Sequence, residues 1–302
     1  MAQKTSSANG SAWQDSVFCL ISPDSVRAQR VEAILQRLRA AGFAVAGWRE
    51  VRIGGRQIDA VAEIQNAGAG DTFRYRALDA LFALGPAIAL RLRDELPRPA
   101  AERYELLRRL KGGTPPRSVP GSIRHEVGSV NAVLSLLHIS DSPANSERES
   151  AAIMGRSPSV PAFHEASSLA PYLAALGRTQ PRETRGYGEV LTAVRGRIVA
   201  RLWHGLGEGG RKLAGDLIER DELDQPDAGT RILGEAGDGA ARHPLAPVLA
   251  HPFDPTGPPL DMADLGLLLR LHGCECDAWE TAVLATSQCF EPVRYKGDAW
   301  TP

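Results

Sequence analysis

Apolar positions in the first half of the chain fall either in short solid runs or at helical spacing. Val17-Phe18-Cys19-Leu20-Ile21 is an unbroken run of strand length, consistent with a buried strand. Ser22-Pro23-Asp24-Ser25 follows with turn and cap chemistry. Val31, Ile34, Leu35 and Leu38 then recur at i, i+3, i+4 and i+7, a helix that Gly42 would end. Phe43 to Trp48 predicts a second strand, residues 71–84 a helix and, after Gly85-Pro86, Ala87 to Leu92 a third strand. Ala100 to Leu110 is a charged helix carrying Leu106, Leu107 and Leu110 on one side, and a Gly/Pro-rich loop covers 111–122. Gly128 to Leu137 predicts a fourth strand. Ser142-Pro143 opens a last helix, with serine and proline where a helix start favours them. The order βαβ, helix, β, helix, β, helix is that of an α+β fold, a ferredoxin-like antiparallel sheet with covering helices.

From about residue 171 the pattern turns helical. Val190, Leu191, Val194, Ile198 and Leu202 share a helix face, and Arg211 to Leu223, Met262 to Leu271 and Trp279 to Cys289 predict further helices. Residues 224–260, rich in Pro, Gly and Asp, predict a long irregular loop. The expected organisation is a disordered tail over 1–14 and the α+β domain over 15–155. A linker over 156–170 follows, where Pro158 and Pro161 interrupt a Ser-rich stretch, and then a mainly α accessory domain over 171–302. The apolar helices of that last part, such as Leu265 to Leu271, need a partner surface, so it is expected to pack against the ligand cleft of the first domain.

Composition narrows the function classes. A chain of 302 residues suits two domains, and 43% hydrophobic residues suffice for a core. A net charge of −1 gives no electrostatic case for nucleic acid or membrane as partner. No run is long enough to span a bilayer, and Met1 to Ser11 lacks the apolar stretch of a signal peptide. Cys19, Cys274, Cys276 and Cys289 form no disulfide framework, so a cytoplasmic location is expected. Only four of the 35 basic residues are lysines; arginine suits bidentate phosphate binding.

The chemistry concentrates around His138. A strand ending in His138-Ile139-Ser140-Asp141-Ser142 puts an imidazole at the mouth of a sheet, beside a helix N-terminus that favours anions. Arg108 and Arg124 offer guanidinium contacts for phosphate, and Glu147 and Glu149 follow on the next helix. A neutral imidazole whose tautomer is fixed by a carboxylate is a competent nucleophile toward phosphorus.

Leu20-Ile21-Ser22-Pro23-Asp24, Gly85-Pro86, Pro120-Gly121-Ser122-Ile123-Arg124 and His138-Ile139-Ser140-Asp141-Ser142 stand in the order and near the spacing of nucleoside diphosphate kinases. Residues 15–155 therefore resemble that family. The resemblance implies transfer of a γ-phosphoryl group from ATP or another nucleoside triphosphate, with Mg2+, through phospho-His138. It implies that Glu149 orients the histidine and that Ser140 is hydrogen-bonded beside that pair. Arg108, Thr114 and Arg124 would hold the nucleotide phosphates, and Phe73 would stack on the base. A homo-oligomer is among the expected assemblies. Site positions depart from the pattern: Ser22 stands where the family has a phosphate-contacting lysine, Ser135 where it has asparagine, and the family's nucleotide-binding tyrosine has no matching position in this chain. Between Arg124 and His138 there is also about one extra residue. These departures predict slow exchange between ordinary nucleotides, since losing one donor to a developing charge costs on the order of 10²-fold or more.

Other motifs are weaker. His272, Cys274, Cys276 and Cys289 are zinc-type ligands without a standard spacing, and the cysteines are expected to be buried thiols at a helix junction, with no metal. Gly205 to Gly210 satisfies Gly-x-Gly-x-x-Gly but follows a helical segment, so a helix–helix turn is expected. His243 and His251 lie in the predicted loop. Three functions compete: a phosphotransferase acting on a nucleoside diphosphate or a specialised small-molecule acceptor; a catalytically weak nucleotide-binding regulatory module; and a nucleotide-binding half serving chemistry that involves the C-terminal half.

Overall fold

The computed structural model describes residues 13–65, 73–96, 98–155 and 163–294. In chain order the elements begin with β1 (Ser16–Ile21), α1 (Pro23–Arg27), α2 (Val31–Ala40), β2 (Phe43–Val51) and α3 (Gly55–Gln65). A 3₁₀ turn (Phe73–Ala77) leads into α4 (Leu78–Ala83), β3 (Ala87–Asp94), α5 (Ala100–Lys111), α6 (Ile123–Glu126), β4 (Leu137–Ile139) and α7 (Pro143–Met154). The strands form one sheet in the order β2-β3-β1-β4, every neighbouring pair antiparallel. Two crossovers, β1 to β2 over β3 and β3 to β4 over β1, make this the ferredoxin-like arrangement. β1 is buried along its whole length because both faces are covered. Val17, Cys19 and Ile21 pack with α2 and α5, while Phe18 and Leu20 pack with Ile58 of α3 and Ile153 of α7.

Two predicted elements differ from the sequence pattern. The strand expected over 128–137 is a compact turn, and only Leu137–Ile139 joins the sheet. Asn131 accounts for this, since its Oδ1 accepts from the backbone N–H of Val133 and Leu134, both at 2.9 Å. Val130, Val133 and Leu134 therefore face the helical half rather than the sheet. The helix α3 falls in a segment for which the sequence pattern predicted no element, although Ile58, Val61 and Ile64 recur every three residues. The predicted helix over 71–84 begins as the 3₁₀ turn, and residues 71–72 lie outside the described residues.

Beyond α7, most of the expected linker's first half and the two prolines lie outside the described residues. His164 exchanges both backbone hydrogen bonds with Trp48 of β2, at 2.8 and 3.2 Å. After a 3₁₀ turn (Ala166–Ser168), α8 (Leu169–Thr179) packs Leu169, Tyr172, Leu173 and Leu176 into the sheet's own core. At the other end, residues 1–12 of the expected tail lie outside the described residues, whereas Trp13 packs edge-on against Phe18 with ring centroids 5.9 Å apart.

The rest is helical, as expected: α9 (Tyr187–Leu202), α10 (Gly207–Glu219), α11 (Ala228–Gly234), α12 (Asp238–Ala241), α13 (Ala246–Ala250), α14 (Met262–Leu271) and α15 (Ala278–Cys289). The long irregular loop predicted over 224–260 is thus corrected to three short helices. Its prolines, glycines and aspartates bound and pack these helices rather than prevent them. Gly229 is the clearest case, because a Cβ there would meet the carbonyl oxygen of Leu249 at 1.8 Å. Arg195, fully buried, donates to the carbonyls of Leu223, Gln225 and His251 and ties this region to α9. Gly205 to Gly210 runs from a 3₁₀ turn into α10, with helix before it.

The two halves share a core. Leu81 and Leu84 of the α4 region, with Val130, Val133 and Leu134, belong to the same apolar cluster as α9 and α15. Asn131 Nδ2 donates to Thr286 at 2.8 Å and Ser287 at 3.1 Å, which fastens the turn to α15.

Candidate active site

His138 sits in the middle of β4, the edge strand, opposite Leu20 of β1. The residue two before it, Leu136, has φ 73, a left-handed conformation that costs a leucine about 1–3 kcal/mol and must be held by its surroundings. The Ser-Pro-Asp-Ser turn does the holding. Asp24 Oδ2 accepts from Leu136 N–H at 2.9 Å, while Ser25 Oγ (2.6 Å) and Ser22 N–H (3.0 Å) both donate to the Leu136 carbonyl. Burial pushes the Asp24 carboxyl up to about 6, against the opposing pull of its backbone N–H donors. A sequence motif more than a hundred residues away therefore sets the entry of the histidine strand.

Glu149 reaches the histidine from α7, whose N-cap Ser142 accepts from Asn145 N–H at 3.1 Å. Its Oε2 lies 2.7 Å from His138 Nε2 and 2.5 Å from Ser140 Oγ, which donates to it. Glu149 is 1% exposed. A buried carboxylate facing Nε2 draws the ring proton to that nitrogen and leaves the Nδ1 lone pair for other work.

His138 lines a cavity of about 510 Å³. Its polar end carries Ser22, Lys111, Thr114, Arg124, Ser135 and Asp141; its apolar wall includes Ile58 and Val61 of α3, Tyr75, Phe82 and Phe290. Arg124 is buried and largely engaged with main chain. It donates to the carbonyls of Leu137 (3.1 Å), Ser135 (3.3 Å) and Gly112 (3.5 Å), and to Ser135 Oγ (3.4 Å). Burial pushes its guanidinium down to about 10, opposed by the Asp24 carboxylate, so it stays charged at neutral pH.

The structure brings His138, Glu149, Thr114, Arg124, Ser22 and Ser135 to this one cavity, with Ser140 bonded to Glu149 beside it. Arg108 is not among them. It is exposed, bonded twice to Glu105 at 2.8 Å, and lines a separate, smaller depression that meets the first at Asp141. The side chain of Phe73 lies outside the described residues. Lys111, Phe290 and the wall from α3 escaped the sequence reading. The spacing of Ile58, Val61 and Ile64 was a visible signal for the wall. Nothing local marks Phe290, which comes from the other half of the chain.

The remaining motifs lie elsewhere. His251 is a loop staple, with Nε2 2.7 Å from the Pro258 carbonyl and Nδ1 accepting from Phe253 N–H at 3.0 Å. His243 and His272 meet edge-on with ring centroids 4.8 Å apart, and Cys274 Sγ faces the Arg197 carbonyl at 3.6 Å. Among the described residues no group of three His, Cys, Asp or Glu side chains is arranged to hold a metal ion.

The nucleoside diphosphate kinase family model matches residues 15–158. The nucleoside diphosphate kinase of Mycolicibacterium gilvum (strain PYR-GCK) is 32% identical over 132 residues, covering 43% of this chain and 89% of the relative. This chain belongs to the nucleoside diphosphate kinase family. The enzyme of the same name from Moorella thermoacetica (strain ATCC 39073 / JCM 9320) is 33% identical over 133 residues, covering 44% of this chain and 88% of the relative. A crystal structure of the Aquifex aeolicus nucleoside diphosphate kinase matches at 20% identity and a TM-score of 0.37, over 46% of this chain and 93% of that one. The match to the family ends at residue 158, and the helical half has no family match. No helix among the described residues is long and apolar enough to cross a membrane.

Proposed function

We propose that this protein is a phosphotransferase that takes the γ-phosphoryl group of a nucleoside triphosphate onto His138 Nδ1. It then passes the group to a nucleoside diphosphate or to a specialised small-molecule acceptor. The observation that carries this is the 2.7 Å contact between Glu149 Oε2 and His138 Nε2 inside a nucleotide-sized cavity, which leaves Nδ1 as the attacking nitrogen. Nδ1 forms a bond to the γ-phosphorus, the bond from phosphorus to the bridging oxygen breaks, and the nucleoside diphosphate leaves with that electron pair. The Nε2 proton stays between the ring and Glu149, whose charge offsets the positive charge that grows on the imidazole. Thr114 and Arg124 face the phosphates from the polar end, and the apolar wall with Tyr75 and Phe290 would receive the base.

Magnesium would arrive on the nucleotide as part of the substrate, since Mg2+ at such sites is held by phosphate oxygens, water and one or two carboxylates. Asp141, exposed at the rim of the cavity, is the carboxylate placed to meet it. The metal's charge would offset that of the phosphate oxygens.

The test is incubation with γ-labelled ATP, followed by assay for an acid-labile, base-stable label on wild type and His138→Ala. A label on the wild type that is absent from the variant supports the proposal, and an unlabelled wild type refutes it. A second role, a nucleotide-binding regulatory module with weak turnover, is favoured by Ser22 in the cavity and by Arg108 being engaged with Glu105 outside it. Nucleotide binding without label would select that role. Phe290 in the cavity wall favours a part for the helical half in whichever substrate is accepted.

A further inference from the structure

Lys111 is buried, and it lines this cavity. It ends α5, and its side chain is 11% exposed. Nζ donates to the carbonyl of Ile139 at 3.2 Å, the residue after His138, and lies 3.7 Å from the carboxylate of Asp141. Arg124 donates to the carbonyl of Leu137, the residue before His138. The Leu136 carbonyl accepts from Ser22, just past β1, and Ser140 N–H donates to Phe18 of β1, so the carbonyls of 137 and 139 point away from β1, along the outer edge of β4. Two cations therefore cap that edge on either side of the histidine.

A lysine in this position is costly to the protein alone. Burial lowers its proton affinity, the charge of Arg124 lowers it further, and the exposed carboxylate of Asp141 offsets this only in part. An ammonium has three protons, and the carbonyl of Ile139 takes one. Two neighbouring cations facing one cavity are relieved by an anion, and a phosphoryl group seated at His138 brings one with several acceptor oxygens. Ser22 contributes only a neutral hydroxyl to the same cavity.

We propose that Lys111 is the cation that contacts the phosphoryl group during its transfer to His138, in place of any cation at position 22. The inference rests on the phosphotransferase function proposed above. Throughout the transfer Lys111 keeps its protons. It donates hydrogen bonds to phosphoryl oxygens while the bond from phosphorus to the leaving oxygen breaks and that to Nδ1 forms.

The experiment compares full-length wild type, Lys111→Met and Lys111→Gln. The readouts are single-turnover labelling of His138 by γ-labelled ATP and equilibrium binding of ATP and adenosine. Glutamine retains a donor for the Ile139 carbonyl but no charge, so it decides the matter if the methionine variant does not fold. Labelling is expected to slow by about 10²-fold in both variants, as for loss of one transition-state donor. ATP binding should weaken by about tenfold and adenosine binding should be unchanged. Adding Ser22→Lys to Lys111→Gln is expected to restore part of the labelling rate. Labelling of the glutamine variant at the wild-type rate overturns the role of Lys111 and leaves the proposed function standing. Equal losses of ATP and adenosine binding also overturn it, since they mark a purely structural lysine. A wild type that takes no label overturns both.

Discussion

Replacing Glu149 by glutamine isolates the electrostatic part of its partnership with His138. The amide has nearly the same volume, and its oxygen can still accept from both Nε2–H and Ser140 Oγ–H, at the 2.7 and 2.5 Å positions occupied now. What disappears is the negative charge. A hydrogen bond to a charged group contributes about 1.5–3 kcal/mol and a neutral one about 0.5–1.5 kcal/mol, so the bond to the imidazole weakens by roughly 1–1.5 kcal/mol. That difference matters most as the ring takes on positive charge, which translates into labelling of His138 slower by about tenfold. Glu149→Ala removes orientation as well and should slow labelling by about 10²-fold or more, because small misplacements of a nucleophile are costly. The fold should tolerate glutamine, since it takes a buried charge away without leaving a hole. Rapid-quench labelling with γ-labelled ATP gives the rate, 31P NMR identifies the phosphorylated nitrogen, and thermal unfolding controls for stability. Unchanged labelling in both variants, or phosphorus on Nε2, would refute the assignment of Glu149 as the group that sets the tautomer.

Wild type should form GTP from ATP and GDP more slowly than an ordinary family member. Ser22→Lys should raise that rate several-fold, and by a larger factor in a Lys111→Gln background than alone; equal factors would mean that the two positions do not serve one phosphate. Phe290→Ala should weaken ATP and adenosine binding alike, by about 0.5–1.5 kcal/mol, the contribution of an aromatic ring packed on the base; titration calorimetry checks this. Asp24 has a carboxyl raised from 3.8 to about 6 on folding, so the native state holds a proton that the unfolded chain gives up. Its contribution to stability is fully present below about pH 4 and falls as pH rises to about 6, by roughly 3 kcal/mol at 1.36 kcal/mol per unit. The stability of wild type minus that of Asp24→Asn, from denaturant midpoints at pH 4 and 7, should shrink accordingly, and a constant difference would count against it. Gly229→Ala should destabilise by at least about 1–3 kcal/mol, the cost of overpacking, because the carbonyl of Leu249 occupies the space; an unchanged melting temperature would contradict that packing.

The sheet was legible because its strands and helices obey local rules. The apolar run 17–21, the heptad-like spacing of Val31 to Leu38 and the Ser142-Pro143 helix start all survive in the fold. The eleven-residue step from His138 to Glu149 likewise places a strand residue against a helix residue, and the two side chains meet. Legibility failed where a segment's partner is remote. Val130, Val133 and Leu134 look like strand because they are apolar, but what they cover is the helical half, and one asparagine folds them into a turn. In 224–260 the turn-forming residues hid short helices whose order depends on Arg195 and on one glycine contact. Arg108 stands apart from the cavity for a local reason: Glu105, three residues away on the same helix face, holds its guanidinium.

The pairing of Trp48 with His164 has a consequence for assembly. The outer edge of β2 would otherwise present unsatisfied amides and carbonyls to any passing strand, and edges of that kind are where sheets grow from one molecule into the next. Here the chain returns after α7 and occupies the position itself: the main chain of Trp48 is bonded on this side to His164, its indole N–H to Glu165 and Ser168, and Phe163 rests on the bare Cα of Gly47. At residues 47–48 the protein is its own neighbour. Two copies cannot merge their sheets at residues 47–48 without first peeling back residues 163–168.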